Sequence, residues 1–174
     1  MIDQYIDKGE IDGVVITHGT DTLEETAYFL DLTIGPAIPI VLTGAMRSAN
    51  EIGSDGLYNL VSAIQVASSD DAVGKGVLVV LNDEIHTAVN VTKTHASNVS
   101  TFQSPQYGPI GFISKSIVYF HHTPNHQPVF PIQQINKKVA LFKVYAGMEA
   151  DLLEAAINVG YDGIVLEGLG QGNV

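Results

Sequence analysis

Three short, almost wholly apolar runs recur along the first half of the chain, at residues 13–17, 39–43 and 76–81. Continuous apolar runs of this length are typical of strands that are buried on both faces. Helical patterns separate the runs, and strands that alternate with helices favour βαβ crossovers. The sequence therefore predicts an α/β fold built on a parallel sheet with flanking helices.

The two intervening helices have different sequence signals. In the first, Leu23, Ala27 and Leu30 share one face, and Thr22-Leu-Glu-Glu25 has the spacing of a capping box. The second is marked as amphipathic by its apolar residues, which are expected to face the sheet. These residues are Leu57, Leu60, Val61 and Ile64.

The second half of the chain differs from the first in composition and in its pattern of apolar residues. Residues 82–107 are rich in Thr, Ser and Asn and predict no helix, whereas residues 111–113 and 117–120 predict short strands that can form a hairpin. Residues 121–138 contain three of the seven prolines and predict an interdomain linker. The predicted domains are therefore a larger one at 1–120 and the beginning of a smaller α/β domain at 139–174.

The smaller segment predicts one further βαβ unit. Its strands are expected at 139–145 and 163–166, and its helix at 149–158. Leu152, Leu153 and Ala156 are expected to face inward from that helix. A unit of this size falls below the roughly 40 residues that fold alone without help, so it must pack on something else.

Charge and composition exclude several classes of function. Asp and Glu number 19 against 8 Lys and Arg, a net charge of −11, which opposes the binding of nucleic acid or of an anionic membrane surface. Cysteine is absent, so disulfides, thiolate nucleophiles and cysteine-ligated metals are excluded. No apolar run approaches the roughly 20 residues of a membrane-spanning helix, and the chain is expected to be soluble.

Three loops at predicted strand ends hold the candidate functional residues, at 18–21, 43–47 and 92–94. A hydroxyl is a weak nucleophile that needs a neighbouring base, and a partly desolvated lysine can serve. Thr20, Asp21 and Lys93 form such a set. Each also has a simpler interpretation: Thr20 and Asp21 as helix N-caps, and Lys93 as a solvated surface charge. Arg47 is equally compatible with a surface ion pair.

Two other motifs predict no site. His121, His122 and His126 cluster around Pro124, which prevents them from sharing a helical face, and no acidic ligand lies among them. The glycines of residues 168–172 follow a strand, but the third comes one position too early for a dinucleotide-binding loop.

The segment VVITHGTDTLEETAYFL at residues 14–30 resembles the second signature of the bacterial-type L-asparaginases, the asparaginase/glutaminase family. Further segments are similar to that family in the same order along nearly the whole chain. They are residues 42–47, 54–56 with Asn59, 76–83, 91–94, Phe102 with Ser104, 107–111, 160–165 and 170–173.

The resemblance implies an activity and a set of site residues. Thr20, Asp21 and Lys93 match the catalytic threonine, aspartate and lysine, and Asp21 also matches the carboxylate that binds the substrate α-amino group. Ala45 matches a position whose backbone lines the amide pocket. Asn173 matches an asparagine that a neighbouring subunit contributes, which implies a homodimer or homotetramer.

The implied reaction belongs to asparagine catabolism. The side-chain amide of L-asparagine, with L-glutamine as an alternative substrate, is hydrolysed to the acid and ammonia through a threonine acyl-enzyme. No metal or organic cofactor is implied. A cytoplasmic location is expected, although any signal peptide would precede residue 1.

The sequence also departs from the family. Members carry their primary nucleophilic threonine in a Thr-Gly-Gly-Thr-Ile loop near the N-terminus, and that segment does not occur here. We therefore expect a chain truncated at both ends and inactive alone. Two other functions stay open: the asparaginase-like subunit of a tRNA-dependent amidotransferase, and a non-catalytic remnant for ligand binding or assembly.

Overall fold

The computed structural model describes residues 2–35, 37–125, 128–130, 132 and 134–174. The helices are α1 Ile2–Asp7, α2 Leu23–Thr33, α3 Gly56–Ala67 and α4 Asp151–Val159, with a 3₁₀ turn at Asp70–Ala72. The strands are β1 Val14–Thr17, β2 Ile40–Thr43, β3 Val77–Leu81, β4 Glu84–Thr87, β5 Thr92–Lys93, β6 Phe102–Gln103, β7 Gly111–Ser114, β8 Ile117–Phe120, β9 Val139–Lys143 and β10 Gly163–Glu167.

The chain divides into two compact units, Met1–Pro131 and Ile132–Val174. The domain limits 1–120, 121–138 and 139–174 remain a prediction. None of the described helices is long and apolar enough to cross a membrane.

A six-stranded sheet forms the centre of the first unit, in the order β1-β2-β3-β4-β7-β8. Strands β1, β2 and β3 pair in parallel, which confirms the α/β class and the first three predicted strands. Strands β4, β7 and β8 then join antiparallel, and β7 with β8 forms the predicted hairpin. The sheet is thus mixed, and its parallel part carries the loops of interest.

Strand β4 was not predicted. It follows β3 through a two-residue turn, Asn82-Asp83, in which both residues have positive φ, the geometry of a tight hairpin. The strand itself reads Glu-Ile-His-Thr, and its two ionisable residues hid it from a search for apolar runs. Yet Ile85, His86 and Thr87 are all buried.

Helix α2 covers one face of the parallel strands. Leu23 and Ala27 are fully buried and Leu30 packs against the same cluster, which confirms the predicted inward face. The predicted capping box is wrong: Thr22 is the N-cap, but its side chain makes no capping hydrogen bond. The acidic first turn of α2 serves another purpose, described below.

Helix α3 covers the opposite face, but not with the predicted residues. Leu57, Val61 and Ile64 are 75%, 46% and 48% exposed, whereas the buried positions are mostly small. Those buried positions are Asn59, Ser62, Ala63, Val66 and Ala67. Small side chains let α3 approach the sheet closely: a Cβ on Gly13 would come 2.5 Å from the Ala67 carbonyl oxygen.

The second unit is one βαβ element. Strand β9 pairs in parallel with β10, and α4 ends at Gly160, which adopts φ 86. Its strand and helix limits differ from the predicted ones by up to two residues. Ala156 is buried as predicted, but Leu152 is 53% exposed, so its predicted inward orientation is wrong.

Candidate active site

Thr20 and Asp21 lie where β1 ends and the chain turns toward α2. Because β1 and β2 are parallel, the loop after β2 lies beside them, as the N–H of His18 shows by donating to the Thr43 carbonyl at 2.9 Å. A cavity of about 390 Å³ opens between the two loops. It is lined by Thr17, His18, Gly19, Thr43, Gly44, Ala45, Gly56 and Leu60.

Lys93 reaches these loops from a separate strand pair. Its Nζ donates to Thr20 Oγ1 at 3.0 Å and to Asp21 Oδ1 at 2.6 Å. The structure therefore brings together three residues that lie 73 and 72 positions apart in the chain. The N-cap of α2 is Thr22, so neither Thr20 nor Asp21 occupies that position.

Burial is unequal within this set of three. The Lys93 side chain is 16% exposed and that of Asp21 is 95% exposed. The hydrogen bond from Lys93, together with its charge, lowers the pKa of Asp21. The ammonium is thus enclosed while its carboxylate partner faces solvent, where a charged ligand can reach it.

Glu24, in the first turn of α2, holds the main chain of Lys93. Its carboxylate accepts the backbone N–H of Lys93 and, at 3.3 Å, the hydroxyl of Thr92. The sequence analysis interpreted this acidic turn as part of a capping box and missed the contact. Nothing local in the sequence signals it, because 69 residues separate the partners.

Asp55 and Asn59 brace the loop that contains Ala45. The Asp55 carboxylate accepts the backbone N–H groups of Met46 and Arg47 at 3.0 and 2.9 Å. The Asn59 amide donates to the Gly44 carbonyl at 3.0 Å, and its oxygen accepts from the Asn82 N–H at 3.1 Å. The loop backbone beside the cavity is therefore fixed by side chains from α3 and its N-terminal cap.

Comparison with known proteins decides the family. A profile described as "Asparaginase, N-terminal" matches residues 1–126, and one described as "Glutaminase/Asparaginase C-terminal domain" matches residues 138–174. The chain belongs to the asparaginase family.

Individual relatives agree with this assignment. The chain is 46% identical over 169 residues to a probable periplasmic L-asparaginase of Haemophilus influenzae, covering 94% of this chain and 48% of the relative. It is 41% identical to L-asparaginase 2 of Escherichia coli (97% and 50% covered) and 41% identical to an L-asparaginase of Bacillus licheniformis (99% and 54% covered). The chain spans about half the length of these curated relatives.

The ion pair in this candidate site makes a direct prediction. Lys93→Met removes both the hydrogen bond and the charge that lower the pKa of Asp21, so that pKa should rise toward its ordinary value. A ¹³C NMR titration of the Asp21 carboxyl measures it. Lys115→Met, a change at an exposed turn, removes the same charge elsewhere and serves as the control. An unchanged Asp21 titration in Lys93→Met would contradict the pairing.

The remaining candidates lie outside this cluster of Thr20, Asp21 and Lys93. Arg47 donates to the Gly53 carbonyl at 2.9 Å and makes no ion pair among the described residues. His121 Nε2 lies 2.9 Å from the Pro109 carbonyl oxygen, and His126 falls outside the described residues. Across the part of the chain that the structure describes, no three His, Asp or Glu side chains group as metal ligands.

Asn173 belongs to the second unit. Its backbone closes a turn with Leu169 through N–H···O bonds of 2.8 and 2.7 Å, and this turn contains the glycines of residues 168–172. The structure thus gives these glycines a place in a tight turn. The contribution of Asn173 to a neighbouring subunit's site stays a prediction.

Proposed function

We propose that this chain supplies part of an L-asparaginase site, in which Thr20, Asp21 and Lys93 act together on the substrate. The observation that supports this most is the position of the Lys93 amine, 3.0 Å from Thr20 Oγ1 and 2.6 Å from Asp21 Oδ1. A hydroxyl, an amine and a carboxylate within hydrogen-bonding reach of one another are the groups that polarisation of a weak hydroxyl requires.

The proposed reaction has two steps. A threonine Oγ attacks the side-chain amide carbon of L-asparagine, the C–N bond breaks, and ammonia leaves with the hydroxyl proton, which gives an acyl-enzyme. Water then adds to the ester carbon, the C–Oγ bond breaks, and aspartate leaves while the threonine regains its proton. Lys93 and Asp21 polarise the Thr20 hydroxyl and an associated water, which lowers the cost of each proton transfer.

The substrate contacts follow from exposure and position. Asp21 faces solvent and is proposed to bind the substrate α-ammonium group. Ala45 lies at the cavity between the loops, where its braced backbone is proposed to contact the amide. We propose a homodimer or homotetramer in which Asn173 completes a neighbouring subunit's site. The exposed apolar residues of α3, among them Leu57, Val61 and Ile64, support assembly.

Hydrolysis is favoured over the other two functions. The relatives described above are named asparaginases rather than amidotransferase subunits, and the Thr20–Lys93 contact places an amine where it can polarise a hydroxyl, which hydrolysis requires and ligand binding alone does not. The cytoplasm is our proposed location, whereas the name of the Haemophilus influenzae relative places that protein in the periplasm.

A segment exchange tests the proposal. The matched part of the Bacillus licheniformis L-asparaginase is replaced by these 174 residues, and ammonia release is measured with L-asparagine and with L-glutamine. We expect hydrolysis of L-asparagine by this chimera. A chimera that melts cooperatively and assembles like its parent, yet releases no ammonia, would overturn the proposed function.

The isolated polypeptide gives the complementary result. Because the Thr-Gly-Gly-Thr-Ile segment implied by the family does not occur in these residues, we expect the 174-residue polypeptide alone to have negligible activity. Turnover comparable to that of the chimera would refute this. Calorimetry with L-aspartate then separates a chain that binds without turnover from one that does neither.

A further inference from the structure

Lys93 is held by a strand that lies outside the main sheet. Strand β5 contains two residues, and its partner in the described part of the chain is the equally short β6, with Thr92 opposite Gln103 and Lys93 opposite Phe102. A two-residue pair cannot fix its own position, since isolated ladders of this size are marginal in water. The location of the Lys93 amine therefore depends on what anchors β6.

Two side-chain contacts tie the β6 segment to β4 of the central sheet. His86 Nδ1 lies 2.9 Å from Ser104 Oγ, and Gln103 Nε2 donates to Glu84 Oε2 at 3.1 Å. Glu84 and His86 both lie in β4, and their partners Gln103 and Ser104 are adjacent in the chain. Phe102, which pairs with Lys93 of β5, is buried in the apolar cluster beneath α2.

The His86 contact is the buried one of the two. His86 is fully buried and Ser104 is 4% exposed, whereas Glu84 and Gln103 are half-buried. Burial lowers the pKa of His86, although the Glu84 carboxylate acts in the opposite direction, so the imidazole is neutral near pH 7. Glu84 Oε2 lies 3.4 Å from Nε2 and favours the proton there, which leaves Nδ1 to accept from the Ser104 hydroxyl.

A polar pair at this depth is costly for stability alone. Apolar side chains of similar volume avoid the desolvation of an imidazole and a hydroxyl, and Nε2, although 3.4 Å from Glu84 Oε2, makes no well-aligned hydrogen bond to any described residue. Unlike apolar packing, a hydrogen bond has a preferred direction. The His86–Ser104 pair can therefore fix the register of β6 against β4.

We propose that His86 is a positioning residue, which through Ser104 and the β5–β6 pair holds the Lys93 amine against Thr20 and Asp21. The positioning of the amine does not depend on the proposed function; only its consequence for catalysis rests on that function. Glu24 of α2 accepts the backbone N–H of Lys93. Lys93 is therefore held from the helix side by Glu24 and from the sheet side through β6.

The Asp21 carboxyl gives a local measure of where the Lys93 amine is. Its pKa is lowered chiefly by the hydrogen bond from Lys93, and it is otherwise exposed. We would titrate Asp21 by ¹³C NMR in the whole 174-residue chain carrying His86→Leu, Ser104→Ala, both together, or His86→Asn. The Lys93→Met variant sets the upper end of the scale.

His86→Leu should shift the Asp21 titration midpoint upward, toward that of Lys93→Met. Ser104→Ala should do the same, and the double variant should add little, because the two changes remove one contact. His86→Asn keeps an amide near the position of Nδ1 and should restore the original midpoint. These four results together support the proposal.

A matched control separates positioning from general loss of stability. Val66→Ala opens a cavity under α3, on the other face of the sheet, and should lower the melting temperature without moving the Asp21 midpoint. The proposal would be overturned if folded His86→Leu left the Asp21 titration midpoint unchanged, or if Val66→Ala shifted that midpoint as much as His86→Leu does. The titration needs no turnover, so an inactive chimera contradicts the proposed function and leaves this inference standing.

Discussion

Replacing Lys93 by methionine in the Bacillus licheniformis chimera should lower kcat/KM for L-asparagine by about 10²- to 10⁴-fold, the range attributable to a positioned acid–base group. The physical reason is the geometry of the amine: it is the group that contacts both Thr20 and Asp21, and methionine fills the same volume without donating a hydrogen bond. Ammonia release under initial-rate conditions measures the effect.

Two further substitutions show what the amine contributes. Lys93→Arg keeps the positive charge beside Asp21 but does not release a proton near neutral pH, so it should remain strongly impaired. Lys115→Met removes a lysine from the exposed β7–β8 turn and should leave the rate unchanged. A Lys93→Met chimera with the parental kcat/KM would remove Lys93 from the proposed mechanism.

Leu42→Ala should lower the free energy of unfolding of the first unit by about 2–5 kcal/mol, the usual cost of emptying a fully enclosed leucine site. Leu42 lies in the middle of β2, between β1 and β3, with no exposed surface, and packs in the cluster under α2. Neighbouring strands cannot collapse into the space without breaking their pairing. Urea unfolding followed by NMR signals of the first unit measures the loss.

Leu57→Ala is the matched control for this truncation. Leu57 is 75% exposed on α3, and surface substitutions of this kind usually change stability by less than about 0.5 kcal/mol. The sequence pattern predicted the opposite, with Leu57 facing the sheet. If both leucine truncations cost the same, the observed orientation of α3 is wrong and the sequence-based one is right.

Local apolar patterns sufficed for part of the fold. The runs around Val41 and Val79 form buried strands because both faces of the sheet are covered there, and the run around Val15 forms the half-buried edge strand β1. They did not suffice for α3, where small buried residues such as Ala63 and Ser62 let the helix approach the sheet. Counting large apolar residues on a helical face does not detect such close packing.

The residues of the candidate site also fall into those that the sequence predicted and those that it did not. Thr20 and Asp21 could be proposed from their place at a strand end, since that position is set by local sequence. Lys93 was predicted in the same set from its chemistry and from the family resemblance, whereas Glu24 and His86 contribute through partners 69 and 18 residues away. Such long-range contacts leave no pattern in a single sequence, so only the folded chain reveals them.

The order of the sheet has one more consequence. Among the described strands, β1 stands at an end of the sheet and pairs with β2 alone, so one side of Val14–Thr17 presents backbone N–H and C=O groups without strand partners. An open edge of this kind is a template onto which another chain can add a strand. Association through this edge is expected to increase with protein concentration, so dilute handling of recombinant material is the practical safeguard.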